Sequence, residues 1–208
     1  MEVRAIPSKD TYDLLLNVHY AGRIPSISYA FGLFIDGELE GVVTYGTPPT
    51  APTRKGLLGP DHAHLVLELN RLCLRTNPRN AASQLIGASL RMLPKPRCIL
   101  SFADSSQGHV GCVYQSSNFD YCGLSAKRTD WKIKGLEHLH NQSIVDMFKH
   151  RPDRAAAARE RFGDDFSLVD RPRKHRYVYF IGSKKEKKEM RALLRYPIEP
   201  YPKILDLV

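Results

Sequence analysis

Residues 97–123 read RCILSFADSSQGHVGCVYQSSNFDYCG: an apolar run stops at Asp104, small polar residues and glycines follow, and aromatics resume at wide spacing. A carboxylate at that point can serve as a general base, bind a metal or cap the helix behind it, and spacing alone admits all three. Tyr114 lies ten residues further on, inside the expected helix, with His109 between. Both residues also suit core positions whose polar tips are satisfied, a commoner fate than catalysis. A second candidate begins where LELNRLCL gives way to Arg75-Thr76-Asn77-Pro78-Arg79-Asn80. The helix opening there would turn the amides of Ala81, Ala82 and Ser83 outward beside two arginines, a place for an anionic group.

These groups need strand ends and helix starts to hold them. Leu14, Leu15 and Val18 at helical spacing give a helix over Lys9 to Tyr20, ended by Gly22. YAFGLFI and LEGVVTYG, joined at Asp36-Gly37, make a hairpin. Gly46 to Pro60, rich in proline and small polar residues, is expected to be a functional loop. HLVLELNRLCLR is a third strand with Glu68 and Asn70 on its polar face, and polar residues on a central strand need a reason. Asn80 is a candidate N-cap for a helix striped by Leu85, Ala88 and Met92. Arg97 to Phe102 is a fourth strand, Gln107 to Ser117 a helix, and FDYCGL, then RYVYFIG, are further strands. RPDRAAAARERFG reads as a surface helix. The order implies an α/β fold, a mixed central sheet flanked by helices, in a single domain over residues 1–208.

Composition narrows the function. No apolar run approaches the roughly 20 residues that cross a bilayer, and the N-terminus lacks an apolar signal core, so a cytoplasmic protein is expected. Cys73, Cys98, Cys112 and Cys122 form no CxxC pair, and three lie in apolar runs, which points to buried thiols and away from zinc or disulfides. The net charge is +9, and ten Lys or Arg against two Glu between Arg171 and Arg195 supply +8 of it. Such a concentration attracts a polyanion, so nucleic acid leads the list of partners; KKEKKEMRALLR also reads as an ordinary solvated helix face.

Six blocks in order, HYAGRIPS, FGLFIDGELEGVVTYGTP, LELNRLCL, NAASQLIGASLRML, SFADSSQGHVGCVYQSSNFDYCGLS and HRYVYFIG, resemble the Mom family of bacteriophage DNA-adenine modification proteins from about His19 to Gly182. The resemblance implies a GCN5-related N-acetyltransferase-like fold and conversion of adenine in double-stranded DNA to its N6-carbamoylmethyl derivative, which protects phage DNA from host restriction. It implies the cytoplasm of the bacterial host as the location. It also carries family roles onto Tyr20, Arg71, Asp104 and Tyr114, with His19 and Tyr20 as iron ligands. A serine belongs to the implied set, and Ser89 is taken with Ser83 and Ser101 as alternatives. Acetyl-CoA is the implied small-molecule acyl donor, held by Arg79, Asn80, Ala81, Ala82 and Ser83. Acetyltransferases of this fold carry glycines in that turn, however, and RTNPRN has Pro78 and Asn80 instead, so close backbone approach is less free.

The implied product sets its own demand. Its new bond runs to a methyl carbon, whereas a thioester reacts at its carbonyl, so something beyond a thioester and a nitrogen source are required. The target amine lies inside the duplex, so the base must be extruded or unpaired. Tyr45 and Trp131 are candidate stacking platforms, and the 46–60 loop with the Arg171 to Lys188 strip are candidate DNA contacts. A homodimer would suit DNA binding. Two alternatives remain open: an N-acetyltransferase acting on a protein or small-molecule amine, and a non-enzymatic DNA-binding module.

Overall fold

The computed structural model describes residues 1–139 and 141–203. Its strands are β1 (Glu2–Ala5), β2 (Tyr29–Ile35), β3 (Glu38–Gly46), β4 (Val66–Leu74), β5 (Arg97–Asp104), β6 (Asp120–Leu124), β7 (Arg128–Ile133), β8 (Phe166–Arg171) and β9 (Lys174–Ile181). The helices are α1 (Ala51–Leu58), α2 (Ala81–Met92), α3 (Cys112–Ser116), α4 (Asn141–Asp146), α5 (Arg154–Phe162) and α6 (Lys184–Leu193).

Seven strands form one mixed sheet in the order β1-β2-β3-β4-β5-β9-β6. The fold is therefore α/β with a mixed sheet flanked by helices, as the element order implied. The β2–β3 hairpin turns at Asp36 and Gly37, both at positive φ, the geometry that an Asp-Gly pair supplies. β1 had no signal in the sequence, being four exposed or half-buried residues that pair along the outer edge of β2.

β4 and β5 form the parallel pair, and its register runs only from Val66 opposite Cys98 to Leu69 opposite Ser101. Both strands continue beyond that point, to Leu74 and Asp104. The parting has a local cause. A register irregularity opposite Thr44 and Tyr45 puts Asn70 in a bulge, where Thr44 Oγ1 donates to Asn70 Oδ1 at 2.6 Å, and β4 then follows β3. β5 stays with β9 along its whole length, from Arg97 opposite Ile181 to Asp104 opposite Lys174. The result is a crevice at the carboxyl ends of two parallel strands, where such sheets bind ligands.

Two cores cover the sheet. On one face Leu67, Leu69, Ile99 and Tyr177 pack with Leu85, Ile86 and Leu90 of α2 and Tyr114 of α3. On the other, Val66, Leu100 and Val178 pack with Leu57 and Leu58 of α1 and Met190 of α6. Several local expectations change. The 46–60 loop contains α1, capped by the Thr50 side chain, because Leu57 and Leu58 give it an apolar face to bury. α2 buries Ala81, Leu85, Ile86, Ser89 and Leu90, and leaves Met92 exposed. Asn80 sits at φ 65° in the left-handed region and makes no side-chain cap. The helix expected from Gln107 is confined to Cys112–Ser116, since Gly108 and Gly111 both take positive φ.

The expected first helix is a 3-10 turn, Ser8–Thr11, leading into a wide turn, Leu14–Val18, in which the His19 amide reaches back five residues to the Leu14 carbonyl at 2.9 Å. Leu14 and Leu15 are wholly buried against Val42 and Cys73, and such π turns recur at functional sites. Where a single domain was expected, the chain divides into two compact units. One is Met1–Leu124 with the chain from Lys174 onward, and the other is Ser125–Arg173. The smaller unit pairs β7 with β8 and closes its own core from Ile133, Ile144, Phe148, Ala157, Ala158 and Phe166. Cys73, Cys98 and Cys122 are buried and free, as expected, and Cys112 is exposed.

Candidate active site

The wide turn delivers His19 and Tyr20 to the crevice. His19 Nδ1 accepts from the Ala21 amide at 3.0 Å, and its ring stacks on Tyr20 at 4.5 Å between centroids. His109, from the segment after β5, meets Tyr20 edge-on at 6.0 Å. Burial, then the charges of Arg71 and His109, push the His19 pKa down to about 4, so its imidazole is neutral at neutral pH. The Tyr20 side is 55% exposed, which leaves an aromatic surface open at the mouth.

Arg71 lies on β4 beyond the end of its pairing with β5. Its Nη1 donates to the Asn70 carbonyl at 2.6 Å, while its Nε is buried and has no hydrogen-bond partner among the described residues. Burial lowers its pKa and so does the charge of Arg23, against the opposing influence of Tyr20 and Glu68. Glu68, three residues earlier, is held above the usual carboxylate range by burial, only partly offset by Arg71 and Lys174. Sequence reasoning left Glu68 out of the site, and its signal was an acid in the middle of an apolar strand.

Asp104 ends β5. Its carboxylate takes the Lys174 ammonium at 2.7 Å and both the amide and the hydroxyl of Ser106, at 3.1 and 2.7 Å. Burial works to raise its pKa, but Lys174 and Ser106 outweigh that and hold it below the usual range. Asp104 is thus a cap and an ion-pair partner, a weak base with its oxygens engaged. Tyr114 rises from the opposite face beneath the parting of β4 and β5. It is buried against Phe119 and Tyr177, at 5.5 and 5.3 Å between centroids. Burial pushes its hydroxyl up to about 12 despite a hydrogen bond with Ser101, so it stays protonated and able to donate.

At the start of α2 the turn is compact. The Ala81 amide bonds to the Pro78 carbonyl at 3.1 Å, and Ser83 Oγ donates to the Asn80 carbonyl at 3.0 Å. Asn80 adopts the left-handed conformation that a glycine would take, which a non-glycine residue does most readily when it is Asn. A left-handed residue followed by a helix start can aim successive amides outward, the geometry in which a turn accepts an anion. Arg79 is exposed beside it, whereas Arg75 is committed to Asp13 and Thr76 to Glu40.

The Mom protein family matches residues 1–203. The chain belongs to that family. It is similar to Methylcarbamoylase mom of Escherichia phage Mu, 28% identical over 191 residues, which cover 89% of this chain and 76% of the phage protein. Among solved structures it is similar to the acetyltransferase yncA of Salmonella typhimurium with acetyl-CoA, at 8% identity, 88% and 95% coverage and a TM-score of 0.48. It is also similar to a Bacillus subtilis acetyltransferase in complex with CoA, at 14% identity, 87% and 99% coverage and a TM-score of 0.46.

Of the residues that the Mom resemblance implied, Tyr20 stacks on His19 and both lie within charge range of Arg71, Asp104 binds the Lys174 that acts on Glu68, and Tyr114 lies within charge range of Tyr20 and Glu68. Ser89 does not join them: it is wholly buried on α2, donates to the Ile86 carbonyl at 2.9 Å and meets the Tyr45 hydroxyl at 2.7 Å. Tyr45 is wholly buried too, so it offers no face for a base. Trp131 packs edge-on against Phe166 at 5.0 Å, in the core of the smaller unit.

The basic strip is not one patch. Arg171 is bound to Asp130 and Arg173 to the Ser125 carbonyl, both in the smaller unit. Lys174 is bound to Asp104, and Arg176 is buried over the Tyr196 ring at 3.8 Å. Lys184, Lys187 and Lys188 on α6 stay exposed, with no ion pair among the described residues. For the iron that the Mom resemblance implied, the residues do not fit. His19 has one ring nitrogen engaged, and among the described residues no group of three or more His, Cys, Asp or Glu is placed to hold a metal ion. No described helix is long and apolar enough to cross a membrane.

Proposed function

We propose that this protein is a DNA-adenine modification enzyme that places a carbamoylmethyl group on N6 of adenine, protecting phage DNA from host restriction. The observation that carries the reading is the family match over residues 1–203, supported by Tyr20 and Glu68 lying within charge range of Arg71 and by Lys174, bound to Asp104, lying within charge range of Glu68. An extruded adenine stacks on the exposed ring of Tyr20, flanked by His19 and His109. Glu68, whose pKa burial raises, takes the proton that leaves N6, and Asp104 fixes Lys174 beside it. Tyr114 donates from beneath to negative charge developing in the crevice.

Acetyl-CoA is the acyl donor of this reading. The outward amides of Ala82 and Ser83, the left-handed Asn80 and the exposed Arg79 would hold its phosphates, and it would supply the two-carbon unit, while the bond to its methyl carbon and the amide nitrogen call for a two-electron oxidant and an ammonia equivalent as co-substrates. The decisive experiment digests plasmid DNA co-expressed with the protein to nucleosides and weighs them. A deoxyadenosine heavier by one carbamoylmethyl group is expected. Unaltered deoxyadenosine alongside acetylated cellular amines would replace this reading with that of an amine N-acetyltransferase.

A further inference from the structure

We propose that Arg23 and Arg71 together form a subsite for one phosphodiester of the substrate strand, next to the adenine being modified. The inference rests on the DNA-adenine reading above and adds a residue that the resemblance did not assign.

Three observations converge on it. The first is the buried Nε of Arg71, a charged donor with no acceptor among the described residues although Nη1 is used on the Asn70 carbonyl. A buried guanidinium donor left without a partner is costly, and Arg is the side chain whose fork best matches an oxyanion. The second is the way the chain fixes Arg23. Asn70, the residue before Arg71, donates through Nδ2 to the Ser26 carbonyl at 2.8 Å, and the Ser28 amide donates to the Tyr45 carbonyl at 2.7 Å. The segment lies so close that a Cβ on Gly46 would overlap the Ser26 carbonyl. Ser26 and Ser28, three and five residues after Arg23, are thus held against β3 and β4 beside Arg71.

The third is charge. Arg23 is exposed and makes no ion pair among the described residues, yet it stands near enough to Arg71 to oppose its protonation. Two guanidiniums converging at a partly buried site are a liability unless an anion bridges them. Glu68 brings one carboxyl, itself inclined to protonation by burial, against two cations. Tyr20 lies just before the Gly22 turn that precedes Arg23. A base stacked on Tyr20 would thus carry its own backbone phosphate toward the arginine pair, and fixing that phosphate holds the extruded nucleotide in register.

The test measures oligonucleotide affinity by fluorescence anisotropy, replacing one phosphate at a time around the target adenine by a neutral methylphosphonate. One replacement beside that adenine should weaken the wild-type complex about tenfold, as loss of a charge-assisted contact does. Arg23→Gln should weaken binding to the unaltered strand by a similar factor, lower the salt slope by about one, and make the same methylphosphonate nearly silent. Arg23 is exposed and makes no ion pair among the described residues, so its replacement leaves the fold intact. Equal methylphosphonate losses in wild type and Arg23→Gln would overturn the subsite, as would an Arg23→Gln protein that binds DNA normally but has a raised KM for the acyl donor. Failure of the underlying reading is told apart by the nucleosides. Unmodified deoxyadenosine with wild-type protein removes the reading itself, whereas modified deoxyadenosine with additive losses removes only the subsite.

Discussion

Replacing Ser89 by Ala should cost stability and leave DNA modification intact. Ser89 Oγ gives its proton to the Ile86 carbonyl at 2.9 Å, so the Tyr45 hydroxyl, 2.7 Å away, donates to it. Both residues are wholly buried. Removing the serine oxygen strands the Tyr45 hydroxyl in the core at a cost of about 1 to 3 kcal/mol, against which alanine's higher helix propensity returns about 0.5 kcal/mol. A net loss of about 0.5 to 2.5 kcal/mol should shift the urea midpoint downward with an unchanged slope. Tyr45→Phe in the same chain removes the stranded donor, so the double variant should lose less than the sum of the single ones, by about 1 kcal/mol. Urea unfolding of the four proteins gives the coupling, and nucleoside masses from co-expressed plasmid give the activity. Loss of modification in Ser89→Ala with an unshifted midpoint would refute the structural role and return Ser89 to the chemistry.

Three further outcomes are expected. Asp104→Asn removes the partner of Lys174, and should give a folded, DNA-binding protein whose modified deoxyadenosine falls at least about a hundredfold; an undiminished yield by mass spectrometry would remove Asp104 from the site. His19 has a lowered folded pKa of about 4 against an ordinary 6.5, so its contribution to stability is present above 6.5 and lost as pH falls toward 4. The shift corresponds to about 3 kcal/mol before screening, and with the ring only partly buried to about 1 kcal/mol; His19→Gln should flatten the fall in urea midpoint across that window by this amount. Gly111→Ala forces a Cβ into the buried Tyr177 ring at φ 85°, and should destabilise by about 2 to 4 kcal/mol, seen as a lowered melting temperature.

The comparison between sequence and structure turns on which contacts are local. The Asp36-Gly37 hairpin, the strand ending at Asp104, the basic helix after Ser183 and the buried cysteines were legible because each is specified within a few residues: a turn pair at positive φ, an apolar run with a polar stop, a capping box, thiols inside apolar runs. The α1 helix was hidden by its prolines, since the burial of Leu57 and Leu58 that stabilises it comes from strands far along the chain. Asn80 looked like a cap, and only the structure shows a left-handed backbone with no side-chain cap there.

Sequence by itself determined the inventory: an α/β chain, its strand-end aspartate, its helix tyrosine, a concentration of positive charge and the blocks that place it in its family. Tertiary structure alone decided the partnerships. It sent Ser89 and Tyr45 into the core, tied Lys174 to Asp104, drew Glu68 into the crevice and set Arg23 against Arg71. The reason is physical. A side chain's type is fixed where it is written, but its proton, its charge and its exposure depend on neighbours brought close by strand register, and the parting of β4 from β5 arises from a bulge that no local pattern announces.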